Sequence, residues 1–484
     1  LPIIRLESQI LLIILGTPFE QCRQLKRNKK IAKNFKKRLD NSEKICSLVI
    51  DKILIYSEVL YIMKNTTLLS SIFEDTKNLI TSSEFKEAYS LGNSFSRNRK
   101  LSFSNTILFI CSALRKSISS EIANFIEDYK HLKFPSITKQ GFSKARQNIS
   151  PQAFAELCRL FVDKFYSLNN KLATWNGFNI LAIDGTSLQV PDTKECGEYF
   201  GLSSNQNKTR TAVATASALY DVLNDIIVDA RITKYRISER KLAKQHIESI
   251  HDKLKNNKSI ITFDRGYPSY DMFDYLDSKE LLFLMRVSTS FKLAESLDSE
   301  DSILEYKING KLKKVRVIKV ELSNGITETL VTNIYDESIE IKKFKELYFL
   351  RWGIESKYKE LKCSIEIEEF SGTKPNSIEQ DFYVSIYLSM VGALLKKEAD
   401  IAIANDNKNK GLKSKYQANK NFILGQVFRN IINLITKSRN RKKTLNNLIE
   451  KAIKIRSQVK SNRSCERKNK HPRKKHHHNI KSCI

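Results

Sequence analysis

The chain has 484 residues, enough for two or three domains, with 41% hydrophobic and 28% charged residues, which excludes an intrinsically disordered polymer. Its net charge of +30 points to a polyanionic partner. The eight cysteines form no CxxC pair, which argues against a zinc ribbon or a redox motif and for a reduced, cytoplasmic protein.

Ile10–Leu15 is the one apolar run near the N-terminus, and it is too short to span a bilayer. The first Met is Met63, so residues 1–62 are read as an uncertain extension, with either Leu1 or Met63 as the start. Residues 63–175 read as helical, with apolar positions at helical spacing over 105–128 and 153–168. They form a possible DNA-binding domain, in which 137–154 suits either a short helix-turn-helix or ordinary packed helices.

From 179 the pattern changes. Asn179–Asp184 is an apolar run closed by Asp184-Gly185, and Ser259–Asp264 repeats that plan, closed by Asp264-Arg265-Gly266. Each reads as a buried strand ending in a carboxylate at a turn. Strands at about 211–220 and 225–233, a helix opening near Ser238, a helix over 268–278 and a strand over 281–287 complete a mixed α/β order. Residues 290–337 alternate on either side of Asn324-Gly325 and predict a β-rich insertion outside the core sheet. Helices follow at about 380–400 and 420–436. Residues 437–484 hold 17 Lys/Arg and 2 Asp/Glu and read as a poorly packed basic tail, a helix around 445–455 excepted.

Between the insertion and the last helices, Tyr348, Arg351, Glu355 and Lys362 sit at offsets of 0, 3, 7 and 14. On one continuous helix they fall within about 60° of one another. Leu347, Leu350, Ile354, Tyr358 and Leu361 form a neighbouring apolar stripe. Cations and hydroxyls hold phosphates, and a carboxylate holds a metal; the plainer reading is a solvated face with the pair Arg351–Glu355.

The spacing Tyr-x2-Arg-x3-Glu-x6-Lys resembles the signature of the IS-four family of bacterial DDE transposases, and the two Asp-ended strands agree with it. The resemblance covers roughly residues 97–437. It implies an RNase H-like catalytic domain over 176–372, preceded by helices and followed by C-terminal helices over 373–436. It implies that Asp184, Asp264 and Glu355 bind two Mg²⁺, with Mn²⁺ as a substitute, for DNA strand cleavage and strand transfer. Tyr348, Arg351 and Lys362 would position DNA, with Arg265 and Arg240 at weaker family positions, alongside Glu239 and Tyr267. The implied partners are the element's terminal inverted repeats and target DNA, with self-association on DNA, no membrane, and a bacterial, nucleoid-associated location. Two alternatives stay open: another RNase H-like endonuclease, and a non-catalytic DNA-binding remnant.

Overall fold

The computed structural model describes residues 65–459, apart from 98–99, 113–116, 169–171, 205–209, 298, 322–324, 326 and 411–413. The expectation for residues 1–62 lies outside the described residues.

Six helices open the described chain: α1 (65–81), α2 (Ser83–Tyr89), α3 (Phe103–Cys111), α4 (Ile118–Asp128), α5 (Lys139–Gln147) and α6 (Gln152–Leu168). Serine or threonine hydroxyls cap several of them, Ser102 accepting from Asn105 N and Thr138 from Gly141 N. Their apolar faces join the main core through Phe73, Phe109, Phe154 and Phe161. Within 137–154, the buried Arg146 donates from Nε to Gln380 at 2.7 Å and from Nη2 to Asp381 at 2.7 Å. That segment therefore packs inward, and its arginine is a brace to a later helix.

Residues 179–332 build one sheet. Its strands are β1 (Asn179–Gln189), β2 (Leu202–Ser204), β3 (Arg210–Asp221), β4 (Ile226–Lys234), β5 (Ser259–Phe263), β6 (Leu282–Val287), β7 (Asp301–Ile308), β8 (Lys311–Glu321) and β9 (Thr327–Thr332). The order runs β2-β3-β1-β5-β6-β9-β8-β7, with β4 also paired to β3. β1 is antiparallel to β3 and parallel to β5, and β5 is parallel to β6. The core order β4-β3-β1-β5-β6 is that of the RNase H-like fold. Ile180–Ile183 and all of β5 are buried, as central strands covered on both faces require.

Two helices between the strands, α8 (Glu239–Asn256) and α9 (Tyr270–Ser278), are capped by Ser238 and Ser269. A short helix α7 (Lys194–Tyr199) lies after β1. The insertion is β-rich but does not stand outside the sheet: β9 pairs antiparallel with β6, and β8 and β7 follow. β6 is almost wholly buried and apolar, and as an outer strand it would present unpaired backbone groups; pairing with β9 removes that edge.

The polar stripe is also corrected. It lies on two helices, α10 (Ile341–Leu350) and α11 (Gly353–Cys363), rather than one. Arg351 N bonds to Tyr348 O and Trp352 N to Phe349 O, the tighter i→i+3 pattern. Gly353 starts α11 against the β3–β4 turn, where a Cβ would stand 2.6 Å from Val222 Cγ1.

The C-terminal part contains α12 (Pro375–Asn409), β10 (Tyr416–Ala418), α13 (Lys420–Thr436), α14 (Arg441–Lys454) and β11 (Arg456–Gln458). The tail boundary expected at 437 is too early. α14 buries Leu445, Leu448, Ile449 and Ala452, and Arg441 donates to the carbonyls of Leu434, Ile435 and Ser70. β11 then pairs with β10. Among the described residues no helix is long and apolar enough to cross a membrane.

Candidate active site

The last register partners of β1 and β5 are Ala182 and Thr262, so Asp184 and Asp264 each follow two residues later on neighbouring parallel strands. The period of two keeps both side chains on one face of the sheet. The strand end expected at Asp184 is not there: β1 runs on through Gly185 to Gln189, paired with β3, and only Asp264 lies just past its strand. Asp184 Oδ1 accepts from Gly185 N at 2.8 Å, and Asp264 Oδ1 from Gly266 N at 2.6 Å. A third carboxylate stands between these two segments. A Cβ on Gly185 would lie 3.3 Å from Glu239 Oε1, and one on Gly266 would lie 3.3 Å from Glu239 Oε2 and 3.4 Å from Asp264 Oδ1. Glycine at both places is what lets Glu239 approach.

Glu355 reaches this end of the sheet from α11. Arg351 stands between it and β1, with Nη2 3.0 Å from Glu355 Oε1 and Nη1 4.0 Å from Asp184 Oδ2. Its guanidinium is buried and lies over the rings of Tyr348 and Trp352, at 5.7 and 4.9 Å from their centroids. Nε and Nη1 have no hydrogen-bond partner among the described residues, and neither has the buried Tyr267 hydroxyl.

The electrostatics follow from this crowding. Burial pushes the Asp184 carboxyl up to about 6; the Gly185 amide and Arg351 pull it down, while Asp264 and Glu239 push it further up. Burial and then Asp264 raise Glu239 as well. Burial, followed by the charges of Asp184, Glu239 and Asp264 among others, holds the Tyr267 phenol well above its usual range. Burial likewise pushes Tyr348 up to about 12.

The remaining expected residues divide. Lys362 donates from Nζ to Ser187 O at 2.6 Å and lies 3.8 Å from Glu368, so it is tied to β1. Arg240 donates to Pro268 O at 3.0 Å and is otherwise exposed, and Arg265 is exposed. Phe349 and Trp352 are exposed apolar surface next to Arg351, at 72% and 40%. Sequence reasoning placed Tyr358 on the apolar stripe, yet its hydroxyl donates to Asp184 O at 2.7 Å. The signal available for Glu239 was its place directly after the capping Ser238.

Among the described residues no three carboxylate, imidazole or thiol groups are closed around a common point, and Glu355 is paired with Arg351. The donor chemistry nevertheless fits a hard divalent cation. Asp184, Asp264 and Glu239 are oxygen donors; burial first, and then the neighbouring carboxylate charge, raise the proton affinity of Asp184 and Glu239, and a dication offsets that crowding of negative charge.

Residues 175–390 match the family model described as a transposase DDE domain. The chain is 33% identical over 107 residues to the putative transposase InsZ of Escherichia coli, covering 22% of this chain and 34% of that protein. It is 21% identical over 291 residues to the transposase InsG for insertion sequence element IS4 of the same organism, covering 56% and 63%. A probable transposase for insertion sequence element IS5377 of Geobacillus stearothermophilus matches at 20% over 177 residues, covering 33% and 46%. The chain thus spans less than two thirds of each relative's length. Among solved structures, the piggyBac transposase synaptic complex with hairpin DNA aligns at a TM-score of 0.41 and 12% identity, over 81% of this chain and 85% of that one.

Proposed function

We propose that this chain, whose residues 175–390 match the model of a transposase DDE domain and which is similar to transposases of insertion sequences, binds the ends of its own element, cleaves the DNA strands there and joins them to target DNA. The observation that carries this reading is the pair Asp184 and Asp264, matched on adjacent parallel strands, with Glu355 linked to Asp184 through one buried arginine.

In this reading Asp184, Asp264 and Glu355 hold the divalent ions, two Mg²⁺ with Mn²⁺ as a substitute. Ions bound there supply activation of the attacking water or 3′-hydroxyl and stabilise the leaving oxygen. Before they bind, Arg351 neutralises Glu355 and part of the charge on Asp184. Glu355 would be the third carboxylate holding the ions, and Arg351, whose planar fork suits a phosphate, would be a DNA-binding cation beside it. Arg265, Arg240 and Lys362 contribute cations around the same end of the sheet. The net charge of +30 supplies salt-dependent affinity for the DNA backbone. Self-association on paired element ends and action at the bacterial nucleoid belong to the same reading.

The test is strand cleavage with Mg²⁺, using the natural chain and Asp184→Asn on element-end and random duplexes. Metal-dependent cleavage confined to element ends and lost in the variant is the expected result. Equal cleavage of both duplexes would indicate a general nuclease, and binding without cleavage a DNA-binding remnant.

A further inference from the structure

Behind the carboxylates, the main-chain carbonyl of Asp184 is held by side chains from two other elements. Tyr358 lies three residues after Glu355 on α11, close to one helical turn. Its hydroxyl donates to Asp184 O at 2.7 Å. Ala218 is the register partner of Asp184 across β1 and β3. The phenol therefore ties the Glu355 helix to the strand pair at the position of the first aspartate.

A second support comes from β3. Ser217 Oγ donates to Asp184 O at 3.2 Å and contacts His246 Nε2 at 2.9 Å, while His246 Nδ1 lies 2.7 Å from Asp229. The Ser-His-Asp order resembles a hydrolytic triad, but Ser217 and His246 are buried at 1% and 0% exposure. No substrate carbonyl could reach that hydroxyl, so the chain braces the backbone instead.

We propose that Tyr358 is a positioning residue that sets the spacing between Asp184 and Glu355, with the Ser217–His246–Asp229 chain fixing the strand end of that link. The inference rests on the reading of Asp184 and Glu355 as metal-binding carboxylates. The hydroxyl is the only group that Tyr358→Phe removes, and the ring stays in the core. Groups that orient ligands from behind are worth about 10- to 100-fold in metal affinity or activity.

The experiment compares the natural chain, Tyr358→Phe and Tyr387→Phe. Tyr387 is a buried phenol bonded to Thr76 at 3.0 Å and belongs to the helical core, so it controls for loss of any buried hydroxyl. Two readouts are taken: the single-turnover cleavage rate with the Kd for element-end DNA, and the Mn²⁺ concentration at the midpoint of the metal-induced rise in melting temperature. Tyr358→Phe should cleave about 10- to 100-fold more slowly at unchanged Kd and need about tenfold more Mn²⁺. Tyr387→Phe should change melting without moving either readout. A Tyr358→Phe protein with the natural Mn²⁺ midpoint overturns the inference. Natural chain that binds Mn²⁺ but cleaves nothing would overturn the proposed activity while leaving the positioning role to be judged by the midpoints.

Discussion

Replacing Asp184 by Asn should make the metal-free protein more stable while abolishing cleavage. The Asp184 carboxyl is held near 6 rather than its ordinary 3.8, with burial as the first cause, and its side chain is 20% exposed. Keeping it ionised at neutral pH therefore costs about 3 kcal/mol, a figure already net of the attraction from Arg351. The sign is set by proton affinity. The folded chain holds this proton to a higher pH than the unfolded chain, so its contribution is fully present below about pH 4 and is lost as pH rises towards 6. Asn is neutral throughout. In EDTA, the variant's advantage in urea unfolding should be near zero at pH 4 and approach about 3 kcal/mol at pH 8. Mg²⁺ should then stabilise the natural chain and leave the variant unmoved. A variant less stable at pH 8, or an advantage independent of pH, would refute the crowded-carboxylate account of the site.

Glu239→Gln removes a like charge facing both aspartates, so in the Gln background the Asp184→Asn advantage should still begin near pH 4 but level off at a lower pH and a smaller size in the same titration. Gly353→Ala puts a Cβ 2.6 Å from Val222 Cγ1 and should cost about 1–3 kcal/mol in unfolding while slowing cleavage; Gly425→Ala, where nothing lies within 4 Å, serves as the control. A chain ending at Thr436 should melt well below one ending at Val459, because it loses the buried Leu445, Leu448 and Ile449, each worth about 1.5–3 kcal/mol. Ending at Val459 should preserve melting but flatten the dependence of DNA affinity on salt, since residues 460–484 carry 9 Lys/Arg and 1 Glu.

The two aspartates could be read from the sequence because a buried strand followed by Asp-Gly or Asp-Arg-Gly is a local signal, and parallel neighbours then bring equivalent ends together. The split of the polar stripe could not be read. Its period runs unbroken through Arg351 and Trp352, and the tightening there accompanies the approach of Gly353 to Val222, 131 residues upstream. The insertion's strands were visible in their alternation, whereas the edge they join depends on β6 lacking a partner. Tyr358 was hidden for a similar reason: its ring belongs to the apolar stripe, and only the fold shows that its hydroxyl meets a strand carbonyl. At the tail, the helix expected around 445–455 was legible in the apolar spacing of 445, 448, 449 and 452, whereas its earlier start at Arg441 and the anchoring of that arginine on the carbonyls of Leu434, Ile435 and Ser70 depend on the fold.

Pairing of β9 with β6 also bears on how far the chain can be shortened. By its place in the sequence, the stretch from 290 to 337 looks dispensable, a module lying between Asp264 and Glu355. Excising it would leave Leu282–Val287 as a bare apolar border beside β5, open to the same border on another copy. A chain shortened by that deletion should therefore collect as aggregate unless a charged or proline-bearing strand is supplied in its place.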